Sequence, residues 1–466
     1  MARGTFRGGV HPNEHKQASR DIPLRDHTPK GDMVFLLGQH IGKPSRPVVK
    51  KNDPVLVGQV IAEADGPVSA NVVCSCSGKV KALEKRRNVA GAMIDAIVVE
   101  NDGEFRTVDG FGEAADPQGS SMPGPQEIIS RVKDAGIIGL GGAGFPTHVK
   151  LAPKDPEKIR YVIANGAECE PWLTCNDQLM RSCADEITDG LTIMLSMFPN
   201  AEGVIAIEKN KPEAIRAMQE AVAAVQKNPG AAGAGKVNRI RVKALETKYP
   251  QGGERSLIQV IAGVDYPVTM LPADVGCLVE NVGTIYAIRR AVRFREPLIR
   301  HTLTVTGDAV ASPGNFWVRE GTCFEELLEA AGGIRQGAVL KKAIAGGPMM
   351  GIAMSSLSVP VQKNNNALTL LAVDRNELAQ AEQTTCLRCG KCAVACPQGL
   401  LPQMMALAIE VNDLERYEKK LYGLECIACG SCTYTCPARR PLTQMFVQTK
   451  AEIMAIRRSQ AAGGGK

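Results

Sequence analysis

Eight of the fifteen cysteines fall into two copies of one pattern. Cys386-Leu-Arg-Cys389-Gly-Lys-Cys392-Ala-Val-Ala-Cys396-Pro397 reads C-x2-C-x2-C-x3-C-P, and Cys426-Ile-Ala-Cys429-Gly-Ser-Cys432-Thr-Tyr-Thr-Cys436-Pro437 repeats it. Three thiolates at this spacing wrap three corners of one iron–sulfur cube, and the cysteine before proline reaches the cube held by the other copy. One 4Fe-4S cluster is therefore expected on Cys386, Cys389, Cys392 and Cys436, and a second on Cys426, Cys429, Cys432 and Cys396. Structural zinc prefers separated C-x2-C pairs or histidine, which this run does not offer. Two such cubes close together conduct electrons one at a time.

A second chemistry-bearing stretch is Gly139-Leu-Gly141-Gly142-Ala-Gly144, which satisfies G-x-G-x-x-G. Loops of this kind turn backbone amides toward a phosphate at a helix amino end. Pro146 suits a first helical turn, and Lys150 adds a cation. The preceding Ile128–Ala135 has helical rather than strand spacing, so the loop does not follow the usual dinucleotide-fold order. Phe145 fits two roles, a core ring or a ring beside a nucleotide.

The continuation carries a resemblance. GLGGAGFPTHVK, Asn165-Gly-Ala-Glu168-Cys-Glu170-Pro171 and Tyr249-Pro-Gln-Gly252-Gly-Glu254 resemble the flavin and NADH site of the 51 kDa subunit of respiratory complex I. The resemblance implies noncovalent FMN held by Gly139, Gly141, Gly142, Gly144 and Lys150. It implies flavin contacts from Asn165, Glu168, Asn281 and Thr284, and a segment at Tyr249, Gly252 and Glu254 lying across the isoalloxazine. Glu170, with Phe145, is implied to meet the nicotinamide of NADH or NAD. The sequence departs from that pattern at Ala167, Gly253 and Glu280.

Phe6-Arg-Gly-Gly-Val-His-Pro12 with Lys16, Gln39-His-Ile-Gly-Lys-Pro44 and Gly346-Gly-Pro-Met-Met-Gly351 are similar to the C subunits of Rnf complexes, the ion-translocating ferredoxin:NAD oxidoreductases. This likeness implies a peripheral electron-transfer subunit on the cytoplasmic face of the bacterial inner membrane. Its implied partners are integral-membrane subunits, NADH, and ferredoxin through the complex, with no nucleic acid. Electrons would pass reversibly between NADH, FMN and the two clusters. Two rival readings are a soluble flavin and iron–sulfur corrinoid reductase, and a cluster wire that holds no flavin.

Elements must position these residues, and 466 residues at about 150 per domain suggest about three domains. The expected fold is multidomain α/β and α+β. Residues 1–34 form a basic arm, because residues 1–51 carry ten Lys or Arg against four Asp or Glu, the whole excess of the chain. That arm could meet anionic lipid or an acidic partner, or fold over its own chain as a solvated tail. Residues 35–105 read as short strands resembling the barrel-sandwich domains that carry biotin or lipoyl, but the tip Asp65-Gly-Pro-Val68 lacks the attachment lysine. A Gly, Pro and Ser-rich linker spans 106–125.

From 126 to 290, helix and strand signals alternate as in a Rossmann-like α/β layer, the FMN domain. The helical signals include Ala184–Met197 and Pro212–Gln226, and the strands Tyr161–Asn165, Gly203–Ile207 and Arg239–Ala244. Residues 291–340 are similar to soluble-ligand-binding β-grasp domains, and 341–375 read as a connecting segment. The two-cluster ferredoxin-like domain covers 376–446, with helical spacing over Leu401–Leu421, before a helix and tail at 447–466. No secretory h-region opens the chain, and the charge-free run Ala343–Gln362 is too rich in Gly and Pro to insert in a membrane. Cys74, Cys76, Cys169, Cys175 and Cys183 read as packing thiols. His11, His15, His27 and His40 match no metal template.

Overall fold

The computed structural model describes residues 4–116, 122–227, 239–373 and 382–463. Two compact units emerge, one from the described residues within 1–13, 245–271 and 374–466, the other from those within 14–244 and 272–373.

The larger unit holds three β systems. The first is a four-stranded sheet ordered Ile240–Leu245, Glu202–Glu208, Tyr161–Gly166, Cys277–Asn281. Tyr161–Gly166 pairs in parallel with both neighbours. Its residues Val162, Ile163 and Ala164 are fully buried, as expected for a parallel sheet covered on both faces. The covering helices include Pro125–Asp134, Cys175–Ser182, Ala184–Met197, Pro212–Lys227 and Val282–Phe294. Their apolar faces supply Ile128, Leu191, Met194, Met218, Ile285 and Ile288 to one core.

The second system pairs a four-stranded sheet, ordered Met33–Leu36, Met93–Asn101, Gly78–Arg87, Pro54–Val55, with a three-stranded one, ordered Arg46–Pro47, Val60–Glu63, Val72–Val73. Phe35, Ile61, Val80, Ile97, Cys74 and Cys76 pack between them. Both thiols are thus core atoms, with sulfurs 3.9 Å apart.

The third is a six-stranded sheet ordered Arg25–Asp26, Gly314–Arg319, Arg300–Thr306, Ala367–Ala372, Leu340–Ala345, Ile352–Met354, with helix Phe324–Ala330 against it. Residues 341–375 are therefore not a connecting segment. Their strands complete this sheet, and the Gly and Pro punctuation that hid them includes the turn between the paired strands Leu340–Ala345 and Ile352–Met354.

One further expectation changes. The first half of the 106–125 linker is packed: Val57 N–H donates to Arg106 O and Val108 N–H to Val57 O, each at 2.9 Å, and Phe111 joins Val57 and Ile299 in a small core. Residues 117–121 lie outside the described residues. The basic arm folds over its own chain, one of the two courses open to it from the sequence, since Lys16 is buried and Arg25–Asp26 is an edge strand.

The smaller unit is helical. Lys391–Val394 and Ser431–Tyr434 are equivalent short helices, each entered through a left-handed residue pair, Arg388 and Gly390 in one copy, Ala428 and Gly430 in the other. The duplication is thus one of backbone geometry as well as of sequence. Leu401–Leu421 is not one helix: Pro402–Glu410 stops at Asn412, whose φ of 54° reverses the chain, and a short wide helix Arg416–Lys420 follows. Met405, Ala408, Tyr417, Leu442 and Phe446 form its core. Among the described residues no helix is long and apolar enough to cross a membrane.

Candidate functional site

In the smaller unit, Cys386, Cys389, Cys392 and Cys436 line one cavity. Cys396, Cys426, Cys429 and Cys432 line another, closed by Met405 and Phe446. The last cysteine of each copy thus faces the cavity of the other. The left-handed residues turn the loops so that backbone N–H groups aim at sulfur: Arg388 N–H donates to Cys386 Sγ and Ala428 N–H to Cys426 Sγ, each at 3.4 Å, and Leu400 N–H to Cys396 Sγ at 3.3 Å. Among the described residues no three His, Cys, Asp or Glu side chains converge closely enough for a single ion. Four thiols ringing a cavity instead of a point suit a cube of four irons, and this donor set fits it.

The two cavities differ in cover. Cys386 and Cys389 are exposed, whereas Cys429 and Cys432 are buried. Gly8 seals the second, with a φ of 71° and no room for a side chain, since a Cβ there would lie 2.5 Å from the Cys396 carbonyl oxygen. Gly9 N–H donates to Ala395 O at 2.9 Å. Arg255 ties the segment 245–271 down through Gln398 at 2.7 Å and Glu425 at 2.9 Å. Burial pushes the Cys426 thiol up to about 11 and the Cys432 thiol up to about 12, so iron binding must displace protons.

Tyr249 sits in this unit. Its ring is 1% exposed and its hydroxyl donates to Cys429 O at 2.6 Å, which braces the loop lining the second cavity. Gly252 and Glu254 belong to the same unit, Glu254 opening helix Glu254–Ala262.

The other flavin candidates gather in the larger unit. Asn165 and Asn281 are register partners on adjacent parallel strands, at the carboxyl ends where α/β sheets bind ligands. Asn281 caps helix Val282–Phe294 by accepting Gly283 N–H at 2.8 Å. Thr284 Oγ1 accepts Leu140 N–H at 2.9 Å, which fastens the glycine loop over that helix start. Within the loop, Gly139 N–H donates to Phe145 O at 2.8 Å, and Phe145 is half-buried. Gly141 and Gly144 need left-handed φ of 68° and 71°. Gly142 needs neither: its φ is not positive, and a Cβ there would meet nothing within 4 Å. A glycine the fold does not demand, beside an open face, fits close approach of a ligand phosphate to the backbone.

Lys150 donates to Val279 O at 2.9 Å and lies 3.5 Å from the buried Glu280, so Glu280, at a position where the 51 kDa pattern differs, answers this cation's charge. Glu168 has a φ of 48° and a buried carboxylate. That carboxylate accepts Asn176 N–H at 2.7 Å and Asp177 N–H at 3.2 Å, so it anchors the start of Cys175–Ser182. Glu170 is half-buried; its Oε2 accepts Met349 N–H at 3.0 Å and its Oε1 accepts Met350 N–H at 2.8 Å. Burial pushes its carboxyl up to about 7, although both amides and Lys16 favour the charged form.

Several residues shape this site without having been given a role in it from the sequence. Lys16 donates to Glu168 O and Glu170 O, each at 2.9 Å, and to Leu173 O; burial holds its ammonium below the usual lysine range. Lys211 grips the other end of the loop through Ala167 O at 2.6 Å. Asn364 Nδ2 donates to Gly142 O at 3.1 Å, and Asn366 Nδ2 stands against Gly141. The run Asn364-Asn365-Asn366 was the visible cue, three amides amid apolar residues. His15 stacks on Trp172 with ring centroids 4.4 Å apart, a packing role.

Fold and site together define a flavin and iron–sulfur electron-transfer protein. Residues 132–290 match the Nuo51 FMN-binding domain, 4–104 the RnfC barrel sandwich hybrid domain, 302–353 the SLBB domain and 379–437 the 4Fe-4S dicluster domain. The C subunit of the proton-translocating ferredoxin:NAD(+) oxidoreductase complex of Clostridium ljungdahlii is 40% identical over 97% of this chain and 94% of its own length. The C subunit of the Na(+)-translocating complex of Acetobacterium woodii is 38% identical over 98% of this chain and 99% of its own. The C subunit of the Haemophilus influenzae ion-translocating oxidoreductase complex is 40% identical over 98% of this chain and 67% of its own length. The chain belongs to the C-subunit family of ion-translocating ferredoxin:NAD oxidoreductase complexes, the RnfC family.

Proposed function

We propose that this chain is where NADH and the complex exchange electrons, as a peripheral subunit at the cytoplasmic face of the inner membrane, joined there to the integral-membrane subunits. FMN, when bound, supplies the conversion between a hydride's two electrons and single electrons. The chain's residues do the placing. The amides around Gly141, Gly142 and Gly144 receive the phosphate, with Lys150 on the turn that leaves the loop. Asn165 and Asn281 offer amide groups at the strand ends, and Thr284 holds the loop in register. Glu168 fixes the helix start behind them. Glu170 and Phe145 orient the nicotinamide, Glu170 as an acceptor for its carboxamide.

Cys396, Cys426, Cys429 and Cys432 would hold one 4Fe-4S cluster and Cys386, Cys389, Cys392 and Cys436 the other, and the pair would supply single-electron transfer toward membrane subunits and ferredoxin. Flow reverses with the potentials of the two pools. Tyr249 braces the Cys429 loop of the first of these clusters, in the unit that also carries Gly252 and Glu254. The observation that carries the reading is the open, glycine-rich loop fastened above register-matched Asn165 and Asn281. Glu170→Ala should impair NADH oxidation with flavin and iron content unchanged. Wild-type NADH kinetics in that variant would remove Glu170 from the site.

A further inference from the structure

The loop Gly346–Gly351, Gly-Gly-Pro-Met-Met-Gly, belongs to the β-grasp sheet, between strands Leu340–Ala345 and Ile352–Met354. Its amides are not idle. Met349 N–H and Met350 N–H each take a different oxygen of the Glu170 carboxylate, and Gly351 N–H closes the loop on Gly347 O at 2.8 Å. Gly347 lies flat against Glu170: a Cβ there would stand 2.3 Å from Glu170 Oε2 and 2.7 Å from both Cδ and Cβ. No positive φ requires glycine at 347; the carboxylate's proximity does. From the other side, Lys16 holds the Glu170 carbonyl at 2.9 Å, so side chain and backbone of this one residue are fixed independently.

We propose that the Gly346–Gly351 loop is a positioning element for pyridine nucleotide, setting the orientation in which Glu170 meets the nicotinamide carboxamide. This rests on the role of Glu170 given above. Each carboxylate oxygen spends one lone pair on a loop amide and keeps another for the substrate's N–H groups. Gly347 is then a specificity-determining residue that touches no substrate. The β-grasp domain works on this chain's own glutamate.

The test uses the purified chain with its flavin and clusters. NADH should slow amide hydrogen exchange in the peptide spanning 346–351 of the wild type, and Glu170→Gln should speed that exchange without NADH. Gly347→Ala should raise KM for NADH about tenfold with kcat within twofold and flavin and iron unchanged, as expected for losing one charge-assisted hydrogen bond. The double variant with Glu170→Gln should be no worse than the single one, since both act on one contact. If NADH reduces the flavin while exchange in 346–351 stays unchanged, or the two substitutions add, the loop has no part in nucleotide placement. If NADH does not reduce the flavin at all, the reading of Glu170 itself fails. Where Gly347→Ala does not fold, the exchange comparison decides alone.

Discussion

Lys16→Met removes one buried cation and asks how much of the nucleotide loop it holds. The ammonium is 4% exposed and satisfies three carbonyls, those of Glu168, Glu170 and Leu173. Between them, Glu168 and Trp172 are held at φ of 48° and 72°, conformations costing of order 1–3 kcal/mol each that persist only under constraint. Methionine fills the space but leaves three buried acceptors unpaired, at about 1–3 kcal/mol each. Part of that is offset, because lysine no longer suffers the desolvation that depresses its pKa. A net loss of about 3–5 kcal/mol follows, the range for breaking a buried charged contact. In a multidomain chain this appears as local opening, so the assay is amide hydrogen exchange across residues 168–173. Exchange should rise by between about a hundredfold and a few thousandfold, with a raised KM for NADH and both clusters intact. Exchange within threefold of wild type would show that the loop stands without Lys16, and the reasoning would be wrong.

Cys396→Ser should lose the cluster shared with Cys426, Cys429 and Cys432, halving iron content while electron paramagnetic resonance retains the signal of the cluster at 386–392; loss of that other signal would overturn the crossed ligation. Glu170 ionises near 7 instead of near 4.5, and the ionised form is the better acceptor, so KM for NADH should fall as pH rises through about 7. Glu170→Gln should flatten that profile; an unaltered profile assigns the titration elsewhere. Tyr249→Phe strands the Cys429 carbonyl at a cost of about 1–3 kcal/mol and should hasten iron release to a chelator from the buried cluster, with the flavin retained; equal release rates would show that Tyr249 does not brace the cluster loop.

Where chemistry fixed residue spacing, the sequence was readable. The cysteine copies reach two separate cavities because x2 and x3 spacings leave a loop few ways to aim its thiols. Ala184–Met197 follows its apolar periodicity to the residue. The strands in 341–375 were hard to read because Gly and Pro interrupt them and because Ala367–Ala372, which joins them to the sheet, pairs with the distant Arg300–Thr306 as well as with Leu340–Ala345. The arm's course was left between two readings, because what decides it is long-range: three carbonyls at 168, 170 and 173 surround Lys16. Motif resemblance singled out Glu168, Glu170 and Tyr249. It could not say that one carboxylate would anchor a helix, another rest on a β-grasp loop, and the phenol bond to a cluster loop.

The most direct measurement is anaerobic purification of the chain, quantification of iron, sulfide, zinc and flavin, and optical titration with NADH. The account predicts about eight irons and one FMN per chain, from the two four-iron motifs and the single glycine loop, with bleaching at both flavin and cluster wavelengths as NADH is added. Zinc in place of iron, or intact clusters with no flavin and no response to NADH, would contradict it.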